Sequence, residues 1–137
     1  MAAGKYSFVL EQGATVNFEI QYKDSNGSPI NLTGYSGRMQ IASNYASDPT
    51  RTIYLTLSSS LNSDGTGLNF SGSNGTTPPA SGSIGIYIAA CSSSALTFNT
   101  AYYDLEIYYP VAGNPSCPIT TRLLEGQVRL SQEVTKF

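Results

Sequence analysis

The sequence predicts an all-β fold, a sandwich of seven or eight mainly antiparallel strands with one short helical turn, spanning residues 1–137 as a single domain. Three observations carry this expectation. Apolar residues recur at every second position, as in Val16, Phe18, Ile20 and Tyr22 against Asn17, Glu19, Gln21 and Lys23, which is the period of a half-buried strand. The runs are separated by Gly, Asn, Asp and Pro, the residues of tight turns. Only 12% of residues are charged, about half the usual share. Ser, Thr, Asn and Gly fill the polar positions instead, and these favour strands and turns over helices.

The elements follow in order. Tyr6, Phe8 and Leu10 alternate with Ser7 and Val9, and after Gln12-Gly13 the alternation resumes through Tyr22. Asp24-Ser-Asn-Gly27 supplies a turn, with Asn-Gly suited to positive φ angles. A third strand runs over residues 35–41, with Gly37, Met39 and Ile41 on one face, and residues 42–51 read as a loop broken by Asp48-Pro49. Ile53, Leu55 and Leu57 form the next strand, Leu68 and Phe70 a short one, and residues 71–83 a mobile surface loop. Ile84, Ile86 and Ile88 follow, then a helical turn over residues 92–98 with serines placed to cap it and Leu96 pointing inward.

The closing block reads as a hairpin of two long strands. Tyr103, Leu105, Ile107 and Tyr109 share one face, and Tyr102, Asp104, Glu106 and Tyr108 the other. A Pro-rich excursion leads to the last strand, residues 121–135, in which Leu123 and Leu124 fall on opposite faces. Residues 133–137 read as a tail or edge. Tyr103 has two readings: an ordinary core tyrosine, or the inward tyrosine of an immunoglobulin-like sandwich that hydrogen-bonds back to the preceding corner.

Composition excludes several functions. The chain has no histidine, so a Ser-His-Asp or Cys-His centre and the commonest metal ligand are both absent. Seven Lys and Arg scattered along a chain of net charge −2 form no basic stripe, so nucleic acid is not an expected partner. No apolar run approaches the roughly 20 residues that span a bilayer, and the N-terminus lacks the apolar middle of a signal peptide; no membrane association and synthesis in the cytosol are expected. Cys91, at the end of a strand, and Cys117, in a loop, have no second pair of ligands to make a metal site. They are expected to be unpaired thiols in a reducing compartment, with a disulfide between them as the minority alternative. The oxygen side chains around Asp24, Asn26 and Asp64 lack the spacing of a calcium loop. No cofactor is expected.

Two sets of residues remain as candidates. Asp104 and Glu106 share a strand face, a placement compatible with acid and base work. No pocket motif accompanies them, so a solvated outer face is the favoured reading and the protein is expected not to be an enzyme. Ten tyrosines and no tryptophan are more suggestive. Tyr54, Tyr87, Tyr102 and Tyr108 fall opposite the aliphatic residues, where they either face a partner or brace the outer sheet. A partner on the Tyr102 and Tyr108 face would bury two rings and pair Asp104 and Glu106 with its own Arg or Lys. Leu124 is one apolar side chain beyond what a single core needs, and is expected under a loop or in a contact.

The order Phe8-Val-Leu-Glu-Gln-Gly-Ala-Thr-Val-Asn-Phe18, Tyr22-Lys-Asp-Ser-Asn-Gly-Ser-Pro-Ile-Asn-Leu-Thr-Gly-Tyr35 and Arg38-Met-Gln-Ile41 resembles small virion structural proteins of tailed bacteriophages. Tyr103-Asp-Leu-Glu-Ile107 and the segment from Thr121 to Thr135 extend the resemblance almost to the end. A related pattern belongs to the immunoglobulin-like N-terminal domain of phage upper baseplate proteins. The resemblance implies an immunoglobulin-like β-sandwich, present in multiple copies in a virion, that attaches fibres or neighbouring baseplate or tail proteins. A capsid decoration role is the alternative placement. The chain ends at Phe137 without the coiled coil or receptor-binding extension of upper baseplate proteins, so attachment is expected here and not direct receptor binding. From a different class, a carbohydrate-binding module is also a β-sandwich with exposed aromatics, though it would ordinarily carry the tryptophan this chain lacks.

Overall fold

The computed structural model describes residues 4–72, 75–111 and 113–134. Alternating sequence becomes two facing sheets. The larger contains β1 (Gly4–Lys5), β2 (Phe8–Glu11), β4 (Ser36–Ala42), β5 (Ile53–Ser58), β8 (Thr100–Val111) and β9 (Asn114–Ser131). The smaller contains β3 (Val16–Gln21), β6 (Gly67–Asn69) and β7 (Ser83–Ile88). In the large sheet the order is β1-β9-β8-β4-β5, with β2 also on β9, and in the small sheet β3-β7-β6. All pairings within these sheets are antiparallel except those of β1 and β2, which run parallel to β9.

This is the arrangement of an immunoglobulin-like sandwich, with the last two strands and the third beside one another and the second and sixth facing them. That numbering counts β1 and β2 as one interrupted strand, which brings the nine segments to eight, within the expected seven or eight. The core lies between the sheets. Leu10, Met39, Ile41, Leu57, Leu68, Ile84, Ile86, Ile88, Leu105, Ile107 and Val128 are all 2% exposed or less, so the alternation marked these inner faces, whereas Ile53, expected in phase with Leu55 and Leu57, is 46% exposed because the pairing with β4 shifts register between Leu55 and Ile53.

Tyr103 is inward and 5% exposed, yet its hydrogen bond does not return to the preceding corner. Its hydroxyl donates to the Tyr6 carbonyl at 2.6 Å, where the first strand breaks between β1 and β2. Gly126, opposite Tyr103 in the ladder, makes room for that crossing, because a Cβ there would stand 2.1 Å from the Tyr6 oxygen. The tyrosine therefore ties the N-terminal strand to the sheet.

Four expectations are corrected. The Pro-rich excursion is not a loop: β8 and β9 continue through it to a turn at Gly113. The hairpin there runs beyond β4, which starts opposite Tyr108, and beyond β1, which starts opposite Leu124. Its outer edges need no donors, so the prolines are tolerated, and Cys117 lies in a strand. The helical turn is α1 (Ala90–Ser93), earlier than expected, with no side-chain cap at its start. The serines serve other bonds: Ser93 Oγ donates to the Ala14 carbonyl and Ser92 Oγ to Asp64. Leu96 is buried as expected. The segment expected as a mobile loop before β7 holds a 3-10 turn, Pro79–Ser81, whose Pro79 carbonyl accepts from Leu32 N–H. At the 24–27 turn Gly27 alone takes positive φ, and Asp24 accepts from the Asn26 and Ser28 amides. Residues 135–137, part of the expected last strand and tail, lie outside the described residues.

Candidate functional site

The outer face of the large sheet is built by alternation on β8 and by register on its neighbours. Tyr102, Asp104, Glu106 and Tyr108 point outward because Tyr103, Leu105 and Ile107 are buried. On β4 the partners of these four are Ala42, Gln40, Arg38 and Ser36. On β9 they are Gln127, Glu125, Arg122 and Thr120. The register shifts between Leu105 and Glu106, whose partners Leu124 and Arg122 leave Leu123 as an extra residue. That bulge reverses the phase of β9. Without it, Arg122 would share a face with Leu124, Val128 and Leu130.

The bulge also relocates Leu124. It sits opposite Leu105 on the inner face and packs, with Leu123, against the core. The expectation that Leu124 was surplus to the core is therefore corrected. A second bulge does the same for Tyr54. Ile41 pairs with Leu55 and Ala42 with Ile53, so Tyr54 is the extra residue, and its ring stacks on buried Phe98 at 4.7 Å. Tyr54 belongs to the margin of the core and not to the face opposite the aliphatic residues. Tyr87 is outward on the small sheet, beside the Asp64-Gly65 turn, and so lies on the other side of the molecule from Tyr102 and Tyr108.

Charge on the large-sheet face is paired within the chain. Arg38 Nε donates to Glu106 Oε1 at 2.8 Å, and its guanidinium carbon lies 4.8 Å from the centre of the Tyr108 ring. Arg122 lies 3.5 Å from both Asp104 and Glu125, and Lys5 pairs with Glu125. Burial pushes the Asp104 carboxyl above its ordinary range, with Glu106 adding to the effect and Arg122 opposing it. The Lys5 hydrogen bond holds Glu125 below its ordinary range. A docking partner therefore meets carboxylates that already have arginine partners, contrary to the expectation that it would supply them.

At the Tyr102 end the face is hollowed. Tyr45, from the 43–48 turn and 64% exposed, stands 5.0 Å from Tyr102 with the rings inclined by 32°. Small Ala42 ends β4 opposite Tyr102, just before this turn. The concavity, about 560 Å³, is lined by Tyr45, Tyr102, Gln40, Arg51, Asp104 and Gln127 among others. Four of the chain's seven Lys and Arg line it (Lys5, Arg38, Arg51, Arg122), with three carboxylates, Asp104, Glu106 and Glu125. Sequence alternation exposed the strand members of this set. It passed over Tyr45 and Arg51, which sit in an irregular connection with no period to read.

Among the described residues no group of three or more Cys, Asp or Glu stands close enough to hold a metal ion. Cys91 and Cys117 are both free and exposed.

No protein-family model and no curated protein matches the chain. Among solved structures, one described as "Structure-based site-directed photo-crosslinking analyses of multimeric cell-adhesive interactions of VGSC beta subunits" is similar over 98% of both chains, at 13% identity and a TM-score of 0.39. A likeness that loose carries no functional inference.

Proposed function

We propose that the protein is a non-enzymatic structural component of a tailed-phage virion, an adaptor that attaches fibres or neighbouring tail proteins through the outer face of its large sheet. The observation that supports this most is the pairing of Asp104 and Glu106 with Arg122 and Arg38. A pre-paired charged lattice flanked by Tyr102 and Tyr108 offers a surface with its charges already matched, on which a partner can bury rings. The sequence resemblance to virion structural proteins supports the virion setting. Low overall charge lets repeated copies sit side by side without strong repulsion.

The test is the double change Tyr102→Ala with Tyr108→Ala. Interface aromatics often cost about 2 kcal/mol or more when truncated. The isolated variant should keep its far-UV circular dichroism spectrum, while assembled particles lack this protein or whatever it holds. Particles with wild-type occupancy would remove this face from attachment.

A further inference from the structure

The hollow at the Tyr102 end of the face has a chemistry that protein docking does not require. The cores of protein interfaces are depleted of charged groups. Here the floor is a carboxylate, a guanidinium and two side-chain amides: Asp104, Arg51, Gln40 and Gln127. These planar groups accept and donate in pairs, as vicinal hydroxyls demand. Arg51 gives one of its five N–H donors to Gln40 Oε1 at 3.2 Å. That bond orients both side chains in the floor of the hollow.

Beside this floor stands an aromatic wall. Tyr45 is 64% exposed and its ring packs against that of Tyr102, so it is held in place while most of its surface stays open to a ligand. A ring held this way offers an apolar platform for the C–H face of a pyranose at little entropic cost. The volume, about 560 Å³, lies within the roughly 300–1,000 Å³ of small-molecule sites. Each of the three carboxylates has a cation partner within the chain, so an uncharged ligand meets no unpaired carboxylate, and the one cation in excess, Arg51, is engaged with the neutral Gln40 amide.

We propose that the concavity lined by Tyr45, Tyr102, Gln40, Arg51, Asp104 and Gln127 binds a short chain of neutral pyranose sugars, with Tyr45 as the stacking platform and the four polar side chains reading the hydroxyls. It goes beyond the adaptor reading: Tyr102 and Asp104 belong to both surfaces, and Tyr45 and Arg51, which lie off the strand face, are what distinguish the saccharide site from it.

The experiment titrates isotope-labelled full-length protein with a panel of neutral hexose hexasaccharides: α-1,4-, β-1,3- and β-1,4-glucan and α-1,6-mannan, each to millimolar concentration. Amide shifts are followed by NMR. At least one sugar should give saturable shifts confined to residues 40–51, 102–104 and 125–127. Tyr45→Ala should weaken that binding about tenfold or more, Gln127→Ala should weaken it too, and Tyr45→Phe should restore it. Tyr45 is exposed, so its variants fold and their unperturbed amides report it. No saturable shift from any sugar overturns the proposal, as does binding that Tyr45→Ala leaves unchanged. If the sugars fail and a purified virion protein shifts the same amides, the hollow is part of the protein-docking face and the saccharide proposal falls while the adaptor reading stands. Loss of particle occupancy in the Tyr102 and Tyr108 variant, with sugar binding absent, separates the two in the same way.

Discussion

At the residue scale, one side chain, the backbone of Tyr6 and one missing Cβ fasten the first strand. Tyr103 donates to the Tyr6 carbonyl, Tyr6 N–H donates to the Glu125 carbonyl, and Gly126 leaves the space in which they meet. Gly126→Ala should destabilise the fold by about 2 kcal/mol, since the clash is with backbone and no flexible side chain can move aside. Tyr103→Phe should cost about 1 kcal/mol, the worth of one hydrogen bond. The two costs should add to less than their sum in urea denaturation, because displacing Tyr6 already breaks the bond that Tyr103 makes. Burial, more than the neighbouring Tyr6, pushes the Tyr103 phenol up to about 12. Its folded pKa is raised above the unfolded value near 10. The stability linked to it is therefore complete below pH 10 and lost as pH rises toward 12. Wild-type protein should lose stability over that window, and Tyr103→Phe should lose less of it.

At the element scale, α1 is too short to hold itself and is fastened from outside. Asp64, in the turn before β6, accepts from Ser92 Oγ at 2.7 Å, from the Thr66 amide at 2.9 Å and from Cys91 Sγ at 3.4 Å. Thr66, 1% exposed, in turn accepts from the Ala89 amide that enters the helix. The bond from Ser92 first, and those from Thr66 next, hold the Asp64 carboxyl well below the ordinary carboxylate range. A depressed folded pKa gives stability that is present above the unfolded value and lost as pH falls below it. Asp64→Ala should lower the melting temperature at neutral pH, and the deficit should shrink as the wild type is taken into acid. A constant deficit across pH would show that the carboxylate's charge contributes nothing. The helical turn was legible in the sequence as a cluster of serines. Its fastening was not, because Asp64 lies 28 residues before Ser92 and no local pattern links them.

For the whole molecule, a core shared by two sheets does the work that cross-links do in smaller domains. Inner-face residues from β2 and from β4 to β9 all contribute, and both cysteines are free and exposed. Reductant should leave the melting temperature unchanged, and Cys91→Ser with Cys117→Ser should behave as wild type. A drop on reduction that the double variant does not show would reveal a cross-link, worth about 2–4 kcal/mol. Molecular shape also separates the tyrosines that sequence alternation had grouped together. Tyr102 and Tyr108 lie on one outer face, Tyr87 on the other, and Tyr54 at the margin of the core.

The sandwich and its inner faces were readable because burial of one face imposes a period of two on every strand, and that period survives in the linear order of Met39 and Ile41, of Ile84, Ile86 and Ile88, and of Tyr103, Leu105 and Ile107. What the linear order did not carry was where the period breaks. The bulge at Leu123 puts Arg122 beside Glu125 on the outer face and Leu124 against the core, and the bulge at Tyr54 turns that ring onto Phe98. A bulge is a property of a strand pair: one extra residue is accommodated only against a particular partner. The hollow beside Tyr102 likewise needs the 43–48 turn to fold over β4 and β8, a juxtaposition that packing creates and that no period within the chain records.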